Sequence, residues 1–161
     1  MSDYKTKIIK GVDYLYIAVL LFIFSSTIIL GAFVAPVVFK SHLYIDVVLN
    51  RFDNGLIMSE IFRRFGNLLS FLLLLITLYH AYYYKKFLSS YLTIIAFCLF
   101  AVSSLLFNFY FTEGVFAFIA QGEEWINNNI ELFEAFHKAS EIDFSIIMFS
   151  ALALVILKIR Q

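Results

Sequence analysis

The sequence predicts an all-α, polytopic membrane protein: four transmembrane helices in one bundle, with short amphipathic or interfacial helices in the two external connections. Three observations carry that expectation. The 161 residues are 62% hydrophobic with a mean hydropathy of +0.88, whereas soluble domains are about 45–50% apolar. The apolar residues gather into four long runs bounded by Lys, Arg, Asp and Glu. Finally, no repeat, low-complexity tract or linker divides the chain, so a single domain over residues 1–161 is the economical reading.

The first span covers about residues 14–39, "YLYIAVLLFIFSSTIILGAFVAPVVF". It follows Lys5, Lys7 and Lys10 as a signal peptide would, but far exceeds a secretory h-region of roughly 7–15 residues, so it reads as an uncleaved anchor. Ser25, Ser26, Thr27 and Gly31 are small enough to let another helix approach closely. Pro36 should kink or close the helix. The second span covers about residues 65–84 and the third about 87–111. Only Lys85 and Lys86 separate them, which makes them an antiparallel hairpin. The fourth covers about 136–158.

The connections carry their own signals. In 41–61, Leu43, Val47, Val48 and Phe52 recur near helical spacing. That suits either a short amphipathic helix on the outer face or an early start of span two above the lipid. The second connection is acidic, interrupted by Gly114, Gly122 and three consecutive Asn, and contains Trp125, which reads as an interface anchor. Seven Lys and Arg flank the termini and the tight turn, and five lie in the longer connections. The positive-inside tendency then places both termini in the cytoplasm, in a bacterial inner membrane. The formal net charge of zero and the absence of a basic stripe exclude nucleic acid as a partner. The lipid bilayer, a membrane-protein partner or a second copy of this chain remain. A single Cys98 excludes an intrachain disulfide.

Span four poses the sharpest question. Residues 144–157 carry no charge, yet at about 1.5 Å rise they cover only about 21 Å of a core roughly 30 Å thick. The helix must therefore take in Glu141 and Asp143. Counted from Lys158, Asp143 lies about 22 Å along the helix, too deep for a short side chain to reach headgroups. It should face the bundle and find a partner. Arg64 stands at the matching height, with Arg63 or Asn67 as alternatives and Asn108 close by. A buried polar cluster of Arg63, Arg64, Asn67, Asn108, Glu113, His137, Glu141 and Asp143 is thus expected in the outer half, as a structural clasp or as the lining of a pocket.

Catalysis is not expected. The chain has no nucleophile–base–orienter set, no Gly-rich phosphate loop and no HExxH pattern. Glu134, His137 and Glu141 share one helix face, but one His with two acids more often marks a solvated helix start at the positive end of the dipole than a metal site. His80 lacks a second His at its depth to hold a haem, so no cofactor is expected. Two classes of function remain: an accessory, assembly or stabilising partner of a larger membrane complex, and a small oligomeric transporter or channel with an outward-facing polar pocket.

Finally, "GAFVAPVVF", "IFRRF", "NFYFTE" and "FEAFHKAS" occur in an order that resembles a bacterial four-span family of unknown function. That family is itself similar to the eukaryotic cisplatin-resistance-associated transmembrane protein. The most specific part is Phe133-x-x-x-His137-x-x-Ser140, with Asn108 and Glu113 as a second element. Gly114 stands where the family tends to have Pro. The resemblance implies a four-helix bundle with His137, Asn108 and Glu113 near one another on the outer side, and no agreed activity.

Overall fold

The computed structural model describes residues 2–44, 49–86 and 90–160. Among them every regular element is helical, and four helical runs are long and apolar enough to cross a membrane: Lys7–Phe39, Phe52–Lys85, Tyr91–Ile119 and Ile130–Ile159. Each has about 30 residues, hence about 45 Å of helix, more than a 30 Å core requires. The spans therefore project beyond the lipid.

Span one begins as α1 (Ser2–Ile28), widens into a π-helical turn at Ile29–Val34 and resumes as α2 (Ala35–Phe39). Pro36 does not close the helix. It sits in the first turn of α2, just past the wide turn, where a missing N–H is tolerated. Span two is one unbroken helix, α3 (Arg51–Lys85), launched by a capping box in which the Asn50 side chain accepts from the Asp53 N–H and Asp53 accepts from the Asn50 N–H. Residues 51–61 are thus the projecting start of span two and not a separate surface helix. Leu43 lies in a 3₁₀ turn, Ser41–Leu43, whereas Val47 and Val48 lie outside the described residues.

Span three is α4 (Tyr91–Leu106), capped by Ser90, followed by a second π turn at Phe107–Thr112 and by α5 (Glu113–Ile119). The expected start at Phe87 lies outside the described residues. Gly114 does not break this helix. A Cβ there would come within 2.3 Å of the Phe136 ring tip, so any larger residue would have to displace that ring. Gly122, at φ +91°, turns the chain into the short helix α6 (Glu123–Asn128). Trp125 is half-buried there, stacked on Phe118 at 5.7 Å, and so braces the connection. Span four, α7 (Ile130–Ile159), starts six residues, nearly two turns, before the expected 136.

α7 is the centre of the packing: it lies along both α1 and α4, while α3 completes the ring against α4 and the second π turn. The core is Leu20 and Ile23 from α1, Leu69 and Ile76 from α3, Phe100 from α4, and Ile147, Ala151 and Leu154 from α7, all essentially inaccessible. Close approach of α4 and α7 rests on Ala96, Ser103, Ser104, Ser150 and Ala151, all buried. Of the four small residues singled out in span one, only Thr27 is buried. Ser25 is exposed and Gly31 borders open space.

Candidate functional site

Polar chemistry collects at both ends of the bundle. At the end holding the chain termini, one carboxylate oxygen, Asp13 Oδ1 on α1, accepts from Tyr79 Oη at 2.7 Å and Tyr83 Oη at 2.6 Å on α3. Lys158 Nζ on α7 lies 3.0 Å from the same oxygen. One turn along α1, buried Tyr16 stacks on Tyr79 at 3.9 Å, and its hydroxyl hydrogen-bonds His80 Nε2 at 2.9 Å. The His80 ring in turn stacks on Phe97 of α4 at 4.2 Å. All four spans are tied together here. Sequence reasoning treated Asp13, His80 and Lys158 as separate residues. The available signal was that Asp13 lies just inside the membrane end of a span otherwise flanked by cations, at the height of the Tyr79–Tyr83 turn.

The opposite end is hollow. A cavity of about 360 Å³ lies between α6 and the parts of all four spans farther from the chain termini. Phe39, Phe52, Phe62, Phe107, Phe111, Phe133 and Phe144 line it, with Met58, Val115, Ile119, Ile126 and Ile130. Both π turns contribute to the wall, through Gly31 in the first and through Phe107, Phe111 and Thr112 in the second. The first π turn also leads α2 onto α3, whereas α1 lies along α7. Spans one and four thus part company at the cavity. Beneath it Phe62, Phe65, Phe107 and Phe144 meet edge-on or tilted at 5.0–6.5 Å. They form its floor.

The polar groups on the cavity wall are few. His137 Nε2 lies 3.3 Å from Glu141 Oε1, one turn along α7. The hydroxyls of Ser59, Thr112, Ser140 and Ser145 each donate to a carbonyl of their own helix, at 2.6–2.9 Å. Glu123 and Asn127 of α6 close the upper rim. Asn50 Nδ2, 3.4 Å from Glu123 Oε2, ties α6 to the start of α3.

The eight residues expected to cluster do not form one buried group. Asp143 is 5% exposed and points at α4, beside Ser103; its Oδ2 is fully buried and has no hydrogen-bond partner among the described residues. Arg64 is not its partner. That side chain is 80% exposed and binds Glu60 Oε1 at 2.8 Å, and Arg63 binds Glu60 Oε2 at 2.7 Å while covering Phe116. The heights match, but Phe62 and Phe65 occupy the inward face of α3, so both arginines point away from α7. A large cation also loses less by staying uncovered than by entering the bundle.

Asn67 and Glu113 are likewise exposed. Asn108 is buried and donates to Ser70 Oγ at 2.8 Å, with Gly66 so close that a Cβ would sit 2.3 Å from its Oδ1. His137 and Glu141 lie together on the cavity wall, apart from Asn108. Among the described residues no three His, Cys, Asp or Glu side chains converge as a metal site would need.

Fold and site together define a class: a four-span helical membrane bundle, clamped at one end and hollow at the other. Residues 18–124 match the family described as a domain of unknown function, DUF4149. That is more than half of the chain, and the protein belongs to this family. The match runs from within span one through spans two and three and stops before span four, so Asp13 and Tyr16 as well as His137, Glu141 and Asp143 lie outside it. No curated protein and no solved structure matches the chain.

Proposed function

We propose that the protein is a non-enzymatic accessory subunit that packs against and stabilises a larger complex in the bacterial inner membrane, with both termini cytoplasmic. One observation carries this reading: the half of the bundle toward the termini is closed. Asp13, Tyr16 and His80 with their partners tie all four spans, and above them Leu20, Ile23, Leu69, Ile76, Phe100 and Leu154 fill the interior; among the serines buried there, Ser104 and Ser150 each donate to a carbonyl of their own helix. Such a bundle can hold something at its outer end but offers no through route for a solute. On the same reading, the likeness to the eukaryotic cisplatin-resistance-associated protein is one of architecture.

The exposed Cys98 on α4 gives a direct test. As the only cysteine, it can carry a photo-crosslinker on the outer face of span three. Capture of a different membrane protein in stoichiometric yield, matched by co-purification in mild detergent, supports the accessory role. Capture of only a second copy of this chain favours a small oligomeric transporter instead. The observation behind that second reading is the unpartnered Asp143 oxygen buried in span four. Proton or solute flux in vesicles, lost in Asp143→Asn, would decide for it.

A further inference from the structure

We propose that the outer cavity is a binding site for an amphiphilic amine: a small apolar body ending in an ammonium group. The inference concerns the site alone and holds whether the protein works singly or within a complex. At about 360 Å³ the cavity falls in the range of ligand sites, which are concave, mostly apolar and furnished with a few convergent polar groups. Its aromatic walls suit a hydrocarbon body and favour a cation over an anion at close range.

The polar groups decide the sign of the ligand's head. The serine and threonine hydroxyls on the wall already donate to their own helices, so toward the cavity they offer lone pairs. The charged groups on the wall are Glu123 and Glu141, and none of the lining residues is Lys or Arg. The N–H donors on the wall are the Asn127 amide and the His137 ring, whose Nε2 already faces Glu141; a carboxylate or phosphate head would otherwise meet acceptors and like charge, whereas an ammonium head brings donors and the opposite charge. Glu141, 65% exposed and in contact with His137, is the group the head would reach.

Access is from the side. Gly31 of span one and Ser145 and Glu141 of span four are lining residues that are also exposed, and a Cβ at Gly31 meets nothing within 4 Å. Measured from the Asp13–Lys158 contact, they lie about 20–27 Å along their helices. That height is within the outer half of a membrane about 30 Å thick, where an amphiphilic amine concentrates with its body in hydrocarbon and its head toward water.

The full-length protein in maltoside micelles tests this with n-octylammonium as the probe. The single Trp125 stands in α6 between Glu123 and Ile126, two cavity residues, so its fluorescence reports occupancy without a label. A saturable change is expected with octylammonium and none with octanoate at equal concentration. Glu141→Gln should weaken the amine about tenfold or more, the range of a charged hydrogen bond. Gly55→Leu should abolish binding while thermal unfolding stays intact. Gly55 lines the cavity, a Cβ there meets nothing within 4 Å, and leucine is the better helix former. Equal response to octanoate, no saturable response to the amine, or binding unchanged in both variants would overturn the proposal.

Discussion

Each end of the bundle holds a histidine and a carboxylate, yet the two pairs do opposite things. At the end with the chain termini Asp13 and His80 take their hydrogen-bond and ion-pair partners from other spans, so these contacts cross between helices. At the opposite end His137 and Glu141 pair with each other one turn apart on α7. A pair within one helix adds little to the packing of that helix against the others. The same residue types therefore lock one end and leave the walls of the other free to enclose a space. What separates the two ends is where each partner sits in the chain.

The largest effect should come from breaking the lock at the end with the chain termini. Asp13→Ala leaves Lys158, whose side chain is only 15% exposed, without its counter-charge and two tyrosine hydroxyls without an acceptor. A loss of roughly 3 kcal/mol is expected, the order seen when one partner of a buried pair is removed. Denaturant or thermal unfolding in detergent measures it. A loss below about 0.5 kcal/mol would mean that the apolar core alone holds this end.

Next come two glycines of α3 that differ only in what they face. Gly66→Ala would drive a methyl into Asn108 and should cost about 1–3 kcal/mol. Replacing Asn108 by Ala in the same chain should recover part of that loss, and strict additivity of the two changes would show that the clash is elsewhere. Gly55→Ala faces open space and should instead stabilise by up to about 1 kcal/mol, through helix propensity. A matching loss at both glycines would erase the distinction between a packed and a hollow wall.

The smallest effect is expected at Arg64. Because it pairs on the surface with Glu60, Arg64→Ala should change stability by no more than about 0.5 kcal/mol. Its combination with Asp143→Asn should be additive. Coupling above about 1 kcal/mol between the two positions would restore the ion pair that their equal heights suggest.

That pair shows how far a sequence of this kind can be read. Span number, hairpin order and the depth of Asp143 follow from apolar runs and helical rise. These are one-dimensional quantities, and the fold class follows from them. Which way a residue faces is a rotation, and these spans are apolar nearly all round, so no stripe marks the inward face. Hence Arg64 stood at the right height on the wrong side of α3. The Tyr16–His80 and Asp13–Tyr79 contacts, which join residues more than sixty positions apart, could not be composed from spacing either. The cavity was hidden for a related reason. Its walls depend on two π turns, and "ILGAFV" and "FNFYFT" carry no mark that separates them from α-helix.

Those two turns also set how the chain tolerates changes in length. A π turn holds about one residue more than α-helical winding over the same rise, so each of these cavity walls carries the equivalent of a single-residue insertion. Deleting one residue within 29–34 would return that stretch to α-helical winding, and the segments on either side would keep their facing. Ala35 and Phe39 would stay at the cavity and Asp13 and Tyr16 in the lock, while only the wide turn itself, Gly31 included, would be rebuilt. The same holds for 107–112 in span three, where Phe107, Phe111 and Thr112 would repack and Phe97 would stay. A one-residue deletion elsewhere in these spans, in regular α-helix, would instead turn everything beyond it by about 100°.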